Sequence, residues 1–284
     1  MSPIVYCRQK IKHCQQTSIL AYPFLSSEQR NALCCLHAYQ QELNEVVDNC
    51  FDIDVAVITL KWWEDQTKLL YQQDKIPDHP VLQILQKAIS QFELPESEIL
   101  MLIQVKKQLL TFSRFNDQNS LNEFAIHSGY IYGRLSTRVL GFKSAASLTY
   151  ADQAGKLYVL SYIFSKIGAD AKKGKLYLPI DLLQQFNIPA QVILNNMGSS
   201  QFNALMSFLI QKLKQQYDEA LKLLPVEDKN KQKPSLTQLA CSYALLEEIR
   251  MDGVENLLRY QLVLPKPRQF RIAMKVALWG FRMA

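Results

Sequence analysis

At 284 residues, 48% of them hydrophobic, the chain is long enough to bury one large core or two small ones. Its formal charge of +6 suits an anionic ligand or an anionic membrane surface. No basic run is interleaved with aromatics as a nucleic-acid binder requires, and no stretch of ~18 apolar residues is offered to a bilayer.

Helical patterns dominate, and only 9 glycines punctuate them. The periodicity predicts a first helix over 3–21, ending before Pro23, and a second from Ser26 or Ser27 to about Asn49. A third, roughly Asp54–Gln72, carries Trp62 and Trp63, which read as packing groups. Pro80 opens the next helix behind Asp78 or His79, and Pro95-Glu96 opens another. Between Ser120 and Phe142 small residues recur: Ser128, Gly129, Gly133 and Ser136. They let two helices approach closely, or let a ligand lie against the backbone. A short helix is expected at Pro179–Phe186 and a long amphipathic one at Gln201–Leu224. The charged stretch 226–234 reads as an exposed loop, and two last helices span Ser235–Asp252 and about Gln269–Arg282.

No repeat or compositional break divides the chain, so one all-α domain over 1–284 is expected. The opening MSPIVYCRQK lacks a signal peptide's apolar stretch. Six cysteines without secretory context read as reduced thiols, and Cys7, Cys14 and His13 make no zinc pattern, so the expected location is the cytoplasm.

Two stretches carry candidate chemistry. In His37–Cys50, Asn44 and Asp48 stand four residues apart and share a helix face; in Lys156–Pro179, Lys166 and Asp170 do the same. The plain account of each is a solvated face or an i,i+4 pair worth a few tenths of a kcal/mol. The functional account of the second is a built-in cation for a diphosphate, with Lys172, Lys173 and Lys175 nearby.

The order of landmarks favours the functional account for Asn44 and Asp48 and leaves both accounts of Lys166 and Asp170 open. Tyr6-Cys7-Arg8, Thr17 with Arg30, Leu36–Asp48, Lys61-Trp62-Trp63, His79-Pro80, Gly129 with Gly133, Asp170–Pro179 and Gly253–Ala273 follow one another as in the squalene/phytoene synthases. By these the chain resembles that family over nearly its whole length, and most of all its bacterial branch that makes presqualene diphosphate. The resemblance implies a single helical bundle around a central apolar cavity, the isoprenoid synthase type. It also implies a head-to-head joining of two prenyl diphosphates. Diphosphate leaves as a polyanion, so magnesium ions held by facing DxxxD helices neutralise it, and a dry cavity protects the allylic cation.

Carried over residue by residue, the motifs are incomplete. Asp48 matches the second aspartate of the first motif, but Asn44 replaces the first and Gln41 replaces a diphosphate-contacting arginine. Where the family's second motif reads NxxRDxxxD, this chain has Tyr162, Ser165, Lys166 and Asp170, so Asp170 alone survives. A cavity tyrosine falls on Phe124. Thr17 stands for a serine near the diphosphate, Lys175 for an arginine, and Tyr177 is retained. A lysine ammonium about 4 Å from a magnesium ion is opposed by roughly 8 kcal/mol at an effective dielectric near 20.

Three functions follow as expectations. The first is a lipid or isoprenoid-diphosphate binder with condensation lost or impaired, needing no metal. The second is an active prenyltransferase using Mg²⁺ on Asp48 and Asp170. The third is a non-catalytic interaction or assembly factor with a filled cavity and an unidentified protein partner. The site residues implied are Asp48, Asp170, Thr17, Gln41, Asn44, Phe124, Gly129, Gly133, Lys166, Lys175 and Tyr177. The basic, aromatic tail RQFRIAMKVALWGFRMA reads as either a core-docking helix or a peripheral contact with the inner face of a membrane.

Overall fold

The structure is a computed structural model describing residues 1–12, 20, 22, 24–49, 52–72, 76–112 and 114–280. Among these residues the regular elements are all helical. The first seven are α1 (Pro3–Lys10), α2 (Ser27–Asn49), α3 (Ile53–Gln72), α4 (Pro80–Phe92), α5 (Glu96–Leu110), α6 (Gln118–Ser128) and α7 (Ser136–Leu140). Then come α8 (Ala146–Ser165), α9 (Ile167–Ala171), α10 (Ile180–Gln185), α11 (Ala190–Leu194), α12 (Ser200–Leu223), α13 (Lys233–Asp252) and α14 (Lys266–Trp279).

Helix α8 is the axis of the bundle. Its buried residues, among them Tyr150, Ala154, Leu157, Leu160, Ile163 and Phe164, lie on every side of the helix. A helix that is apolar all round belongs in a core. It packs against α6, α12 and α13 and against a π-helical turn at Ile131–Leu135. The buried side chains fall into two clusters, one built mainly on α2, α4 and α5 and the other on α8, α12 and α13. Tyr132 of the π turn packs against both.

The small-residue stretch works as a helix contact. A Cβ on Gly129 would lie 2.5 Å from the backbone of Gly155, and one on Gly133 would overlap the Ala151 carbonyl. Only glycine permits this approach. That decides between the two uses foreseen for the pair. Gly129 and Gly133 fasten α6 and the π turn to α8, and neither is among the residues that line the cavity described below.

The ends of α5 and α8 are held by charge. Arg138 donates to both oxygens of buried Glu98 at 2.8 Å, and Arg134 donates to Asp152 at 2.7 Å. Trp63 is buried between Tyr39 and His79, with ring centroids 5.5 and 4.9 Å away. His79 caps α4 by accepting from the Val81 amide, with Pro80 in the first turn.

Several sequence expectations need correction. The first helix ends at Lys10, and part of the expected stretch (13–19 and 21) lies outside the described residues. The apolar run through Lys166 is interrupted: Lys166 takes φ −121°, ψ 16°, and separates α8 from α9. The stretch 226–234 is exposed at Val226, Glu227, Lys229, Asn230 and Lys231, as expected, but Asp228 and Gln232 within it are fully buried. Asp228 accepts hydrogen bonds from the amides of Lys143 (2.7 Å) and Ser144 (3.1 Å) and from the Ser147 hydroxyl (2.7 Å). A charged residue was mistaken for a solvated one because its three donors lie some eighty residues away in sequence.

Burial works to raise the Asp228 carboxyl pKa, but the three donors outweigh it and hold the value below the ordinary range. A depressed folded value means that stability is present above the unfolded pKa and is lost as pH falls through the folded one. Asp228→Ala is expected to destabilise by about 2–3 kcal/mol at pH 7, since three donors lose a charged acceptor. The deficit should shrink toward pH 3 in denaturant titrations, and a pH-independent deficit would contradict this account.

Candidate binding site

The candidate site runs along one side of α2. His37, Gln40, Gln41, Asn44 and Asp48 follow the helical repeat and pass from buried (His37, 1% exposed) to exposed (Asp48). At 1.5 Å per residue this stripe is roughly 16 Å long. It forms one wall of a cavity of about 570 Å³ that opens at Asp48. The other walls come from Lys106 and Leu109 on α5, Phe124 and Ser128 on α6, and Tyr132 in the π turn. Tyr158, Val159, Tyr162 and Ile163 of α8 close the far side, with Lys166, Lys175 and Tyr177 beyond them.

The floor is aromatic. Tyr132 lies 4.2 Å from Tyr158 between ring centroids, and His37 lies between Tyr22 and Tyr132 at 6.4 and 5.7 Å. Burial lowers the His37 pKa to about 3, so the imidazole is neutral at any physiological pH. His37 Nδ1, Gln40 Oε1 and Ser128 Oγ are buried without a hydrogen-bond partner among the described residues. Phe124 and Tyr177 complete an aromatic group with Phe112 and Phe115, and burial pushes the Tyr177 hydroxyl pKa upward.

At the open end the charges are mainly positive. Lys166 Nζ lies 3.3 Å from Asp170 Oδ1 and 4.7 Å from the centre of the Tyr162 ring. Burial lowers the Lys166 pKa, but Tyr162 and Asp170 outweigh it, and the net shift is upward. Burial raises the Asp170 carboxyl against the pull of Lys166, and its Oδ2 has no hydrogen-bond partner among the described residues. Lys106 is 8% exposed and makes no hydrogen bond or ion pair among the described residues. Its pKa falls to about 8, chiefly through burial; Asp48 opposes the fall, and Lys166 and Lys175 add to it.

Of the residues expected at the site, the cavity brings together Gln41, Asn44, Asp48, Phe124, Lys166, Lys175 and Tyr177. Asp170 departs from expectation. It is 5% exposed, paired with Lys166 and absent from the cavity lining, because the break at Lys166 tucks α9 behind the lysine. Thr17 lies outside the described residues. Lys106 was missed because the pair Lys106-Lys107 reads as a solvated face. The signal was its spacing: Ile99, Leu102, Ile103 and Lys106 follow the buried stripe of α5.

The donor set does not fit a cluster of magnesium ions. Glu45 is paired with Lys10 at 2.7 Å and Asp170 with Lys166, which leaves Asp48 as the cavity's unpaired carboxylate among the described residues. Magnesium asks for carboxylates and phosphate oxygens in octahedral array. Here the one unpaired carboxylate shares the cavity with four lysines, two of them paired.

The family model for squalene/phytoene synthase matches residues 11–268. A phytoene synthase of Arthrospira platensis is 24% identical over 256 residues, which are 86% of this chain and 82% of that protein. A presqualene diphosphate synthase of Rhodopseudomonas palustris is 25% identical over 171 residues, 60% of each chain. Among solved structures, a dehydrosqualene synthase in complex with ligand superposes with a TM-score of 0.83 at 18% identity, covering 96% of this chain and 95% of that one. A squalene synthase from Alicyclobacillus acidocaldarius gives 0.77 at 18% identity, over 88% and 94%. At these identities the structural likeness is one of fold, and the fold is the all-helical isoprenoid synthase type.

Lys106 also makes a prediction about stability. Its folded pKa of about 8 lies below the ordinary 10.5, so the unfolded chain binds the proton more tightly. The unliganded protein therefore bears a penalty of about 3 kcal/mol below pH 8, relieved as pH climbs toward 10.5. Lys106→Met should raise stability at pH 7 by up to that amount and show no advantage at pH 10.5. Urea unfolding at both pH values checks this, and a Met variant less stable than wild type at pH 7 would refute it.

Proposed function

The chain belongs to the squalene/phytoene synthase family, and on that premise we propose that it takes a prenyl diphosphate or related lipid into this cavity without joining two of them efficiently. One observation carries this reading: the surviving carboxylate of the second motif, Asp170, is buried and paired with Lys166 at 3.3 Å. A carboxylate that neutralises an ammonium has little charge left for a metal, and the ammonium would repel that metal. The first motif is weakened as well, since Asn44 lines the cavity beside Asp48 as a neutral amide. Lys166, partly offset by Asp170, would still add positive charge where metals would otherwise bring it to the diphosphate.

The open cavity favours a ligand-binding role over the interaction-factor alternative, which required a filled one. The active-prenyltransferase alternative rests on Asp48, which stands unpaired at the rim among the described residues. The lipid would arrive from a membrane. Helix α14 turns Ala273 and Val276 inward and exposes Phe270, Leu278 and Trp279, with Arg271 and Lys275 exposed on the same outer side. Its fourteen residues include no acid, as in an interfacial helix. Among the described residues no helix is long and apolar enough to cross a membrane, so the contact is peripheral.

Two experiments test these statements. Purified protein is incubated with labelled farnesyl diphosphate, with Mg²⁺ or with chelator, and both extracted lipid and retained ligand are measured. Retained, unconverted substrate in either condition is expected, whereas magnesium-dependent presqualene diphosphate, squalene or phytoene would sink the impaired-condensation reading. For the membrane, flotation with vesicles containing anionic lipid should carry the wild type upward. Phe270→Ser/Trp279→Ser should stay behind, and equal flotation of the two proteins would remove α14 from the account.

A further inference from the structure

Four lysines line the cavity: Lys10, Lys106, Lys166 and Lys175. Lys10 is answered by Glu42 at 3.1 Å and Glu45 at 2.7 Å, and Lys166 by Asp170. Lys106 and Lys175 make no ion pair among the described residues. Lys166 and Lys175 both line the cavity and stand near enough to Lys106 to lower its pKa. A lysine 8% exposed, with no ion pair, and beside two further lysines is an arrangement that a folded protein pays to keep. Nothing in the packing of α5 requires it, since the same position would accept an apolar chain like those of Leu102 and Ile103 in its own stripe. Among the described residues no anion answers it.

We propose that Lys106 and Lys175, backed by Lys166, form a metal-independent anion subsite that holds the one phosphorylated head of a single-chain lipid. This rests on the reading that the cavity takes a prenyl or related lipid, and it narrows that reading in two ways. The first concerns the number of ligands. A phosphoryl group carries about −1.5 to −2 at neutral pH, which the two unpaired lysines match. A second head would find no further unpaired cation in the cavity among the described residues and would meet Asp48 at the rim. The site therefore has the charge for one head, whereas head-to-head condensation needs two. The second concerns position. Lys106 comes from α5, across the cavity from Asn44 and Asp48 on α2, so the head is gripped between helices where facing carboxylates would otherwise hold metal ions. The chain of the lipid then extends along the stripe from Asn44 to His37 toward the Tyr132–Tyr158 floor.

The test is equilibrium binding of farnesyl monophosphate and farnesyl diphosphate to the full chain in chelator, by calorimetry. The wild type is expected to bind one molecule per chain. Lys106→Met should weaken binding about tenfold or more, as loss of a charged hydrogen bond does. Lys106→Arg should restore most of it, and Lys172→Met, an exposed lysine outside the cavity lining, should leave it unchanged. Lys175→Met should weaken binding in the same way. If Lys106→Met does not fold, Lys106→Gln and Lys175→Met carry the comparison. Wild-type binding that survives undiminished in Lys106→Met and Lys175→Met overturns the subsite and leaves the lipid-binding reading standing. Binding abolished by chelator, or two molecules per chain, overturns it as well. A wild type that binds neither lipid, with or without Mg²⁺, defeats the broader reading itself. Inorganic pyrophosphate alone separates head from chain: competition at millimolar level is expected, and none at all would place the affinity in the chain and overturn the subsite.

Discussion

The structure depends on a backbone contact. Gly129 and Gly133 on one side and Gly155 and Ala151 on the other bring α6 and the π turn so close to α8 that a single methyl group would overlap main-chain atoms. That approach places Phe124, Ser128 and Tyr132 opposite Tyr158, Val159 and Tyr162. The cavity is bounded on its other sides by residues of α2 and α5. Because α8 is buried on every side, it cannot shift to relieve strain without disturbing both core clusters.

Charge is distributed within this frame in a way that separates ancestry from chemistry. Of the positions of the two motifs, Gln41, Asn44, Asp48, Tyr162 and Lys166 line the cavity, whereas Ser165 and Asp170 do not. An amide stands at Asn44, an ammonium at Lys166, and a second ammonium enters from α5 at Lys106. The result is a cavity whose mouth favours anions and whose floor is a group of neutral aromatic and amide side chains. Lys106 shows the cost most plainly, since burial pushes its pKa down to about 8 while it gains no ion pair among the described residues. Groups held in unfavourable states without structural benefit mark places where a ligand completes the structure.

Peripheral features agree with a lipid cargo. The outer side of α14 is apolar and basic, and the first turns of α3 expose Ile53, Val55, Val57 and Ile58 just beyond Asp48 in the chain. Both lie on segments that lead directly into cavity-lining residues, Gln261 before α14 and Asp48 before α3.

How much of this was legible in the sequence follows from the range of the forces involved. The sequence by itself determined the helices, because a 3.6-residue apolar repeat and proline or glycine boundaries are local. It also carried the resemblance to the family in the order of its landmarks, and only against that resemblance do Asn44 and Lys166 stand where aspartates are expected. The tertiary structure decided what burial does to charge. Asp228, which reads as a loop residue, is a buried acceptor because Lys143, Ser144 and Ser147 fold onto it. Lys106, which reads as a surface lysine, is a cavity cation because α5 turns that stripe inward. Asp170, which reads as a ligand-facing acid, is sequestered because the chain breaks at Lys166. In each case the side chain's chemistry was fixed by its identity, but its energy depends on the dielectric and the partners that distant segments bring to it.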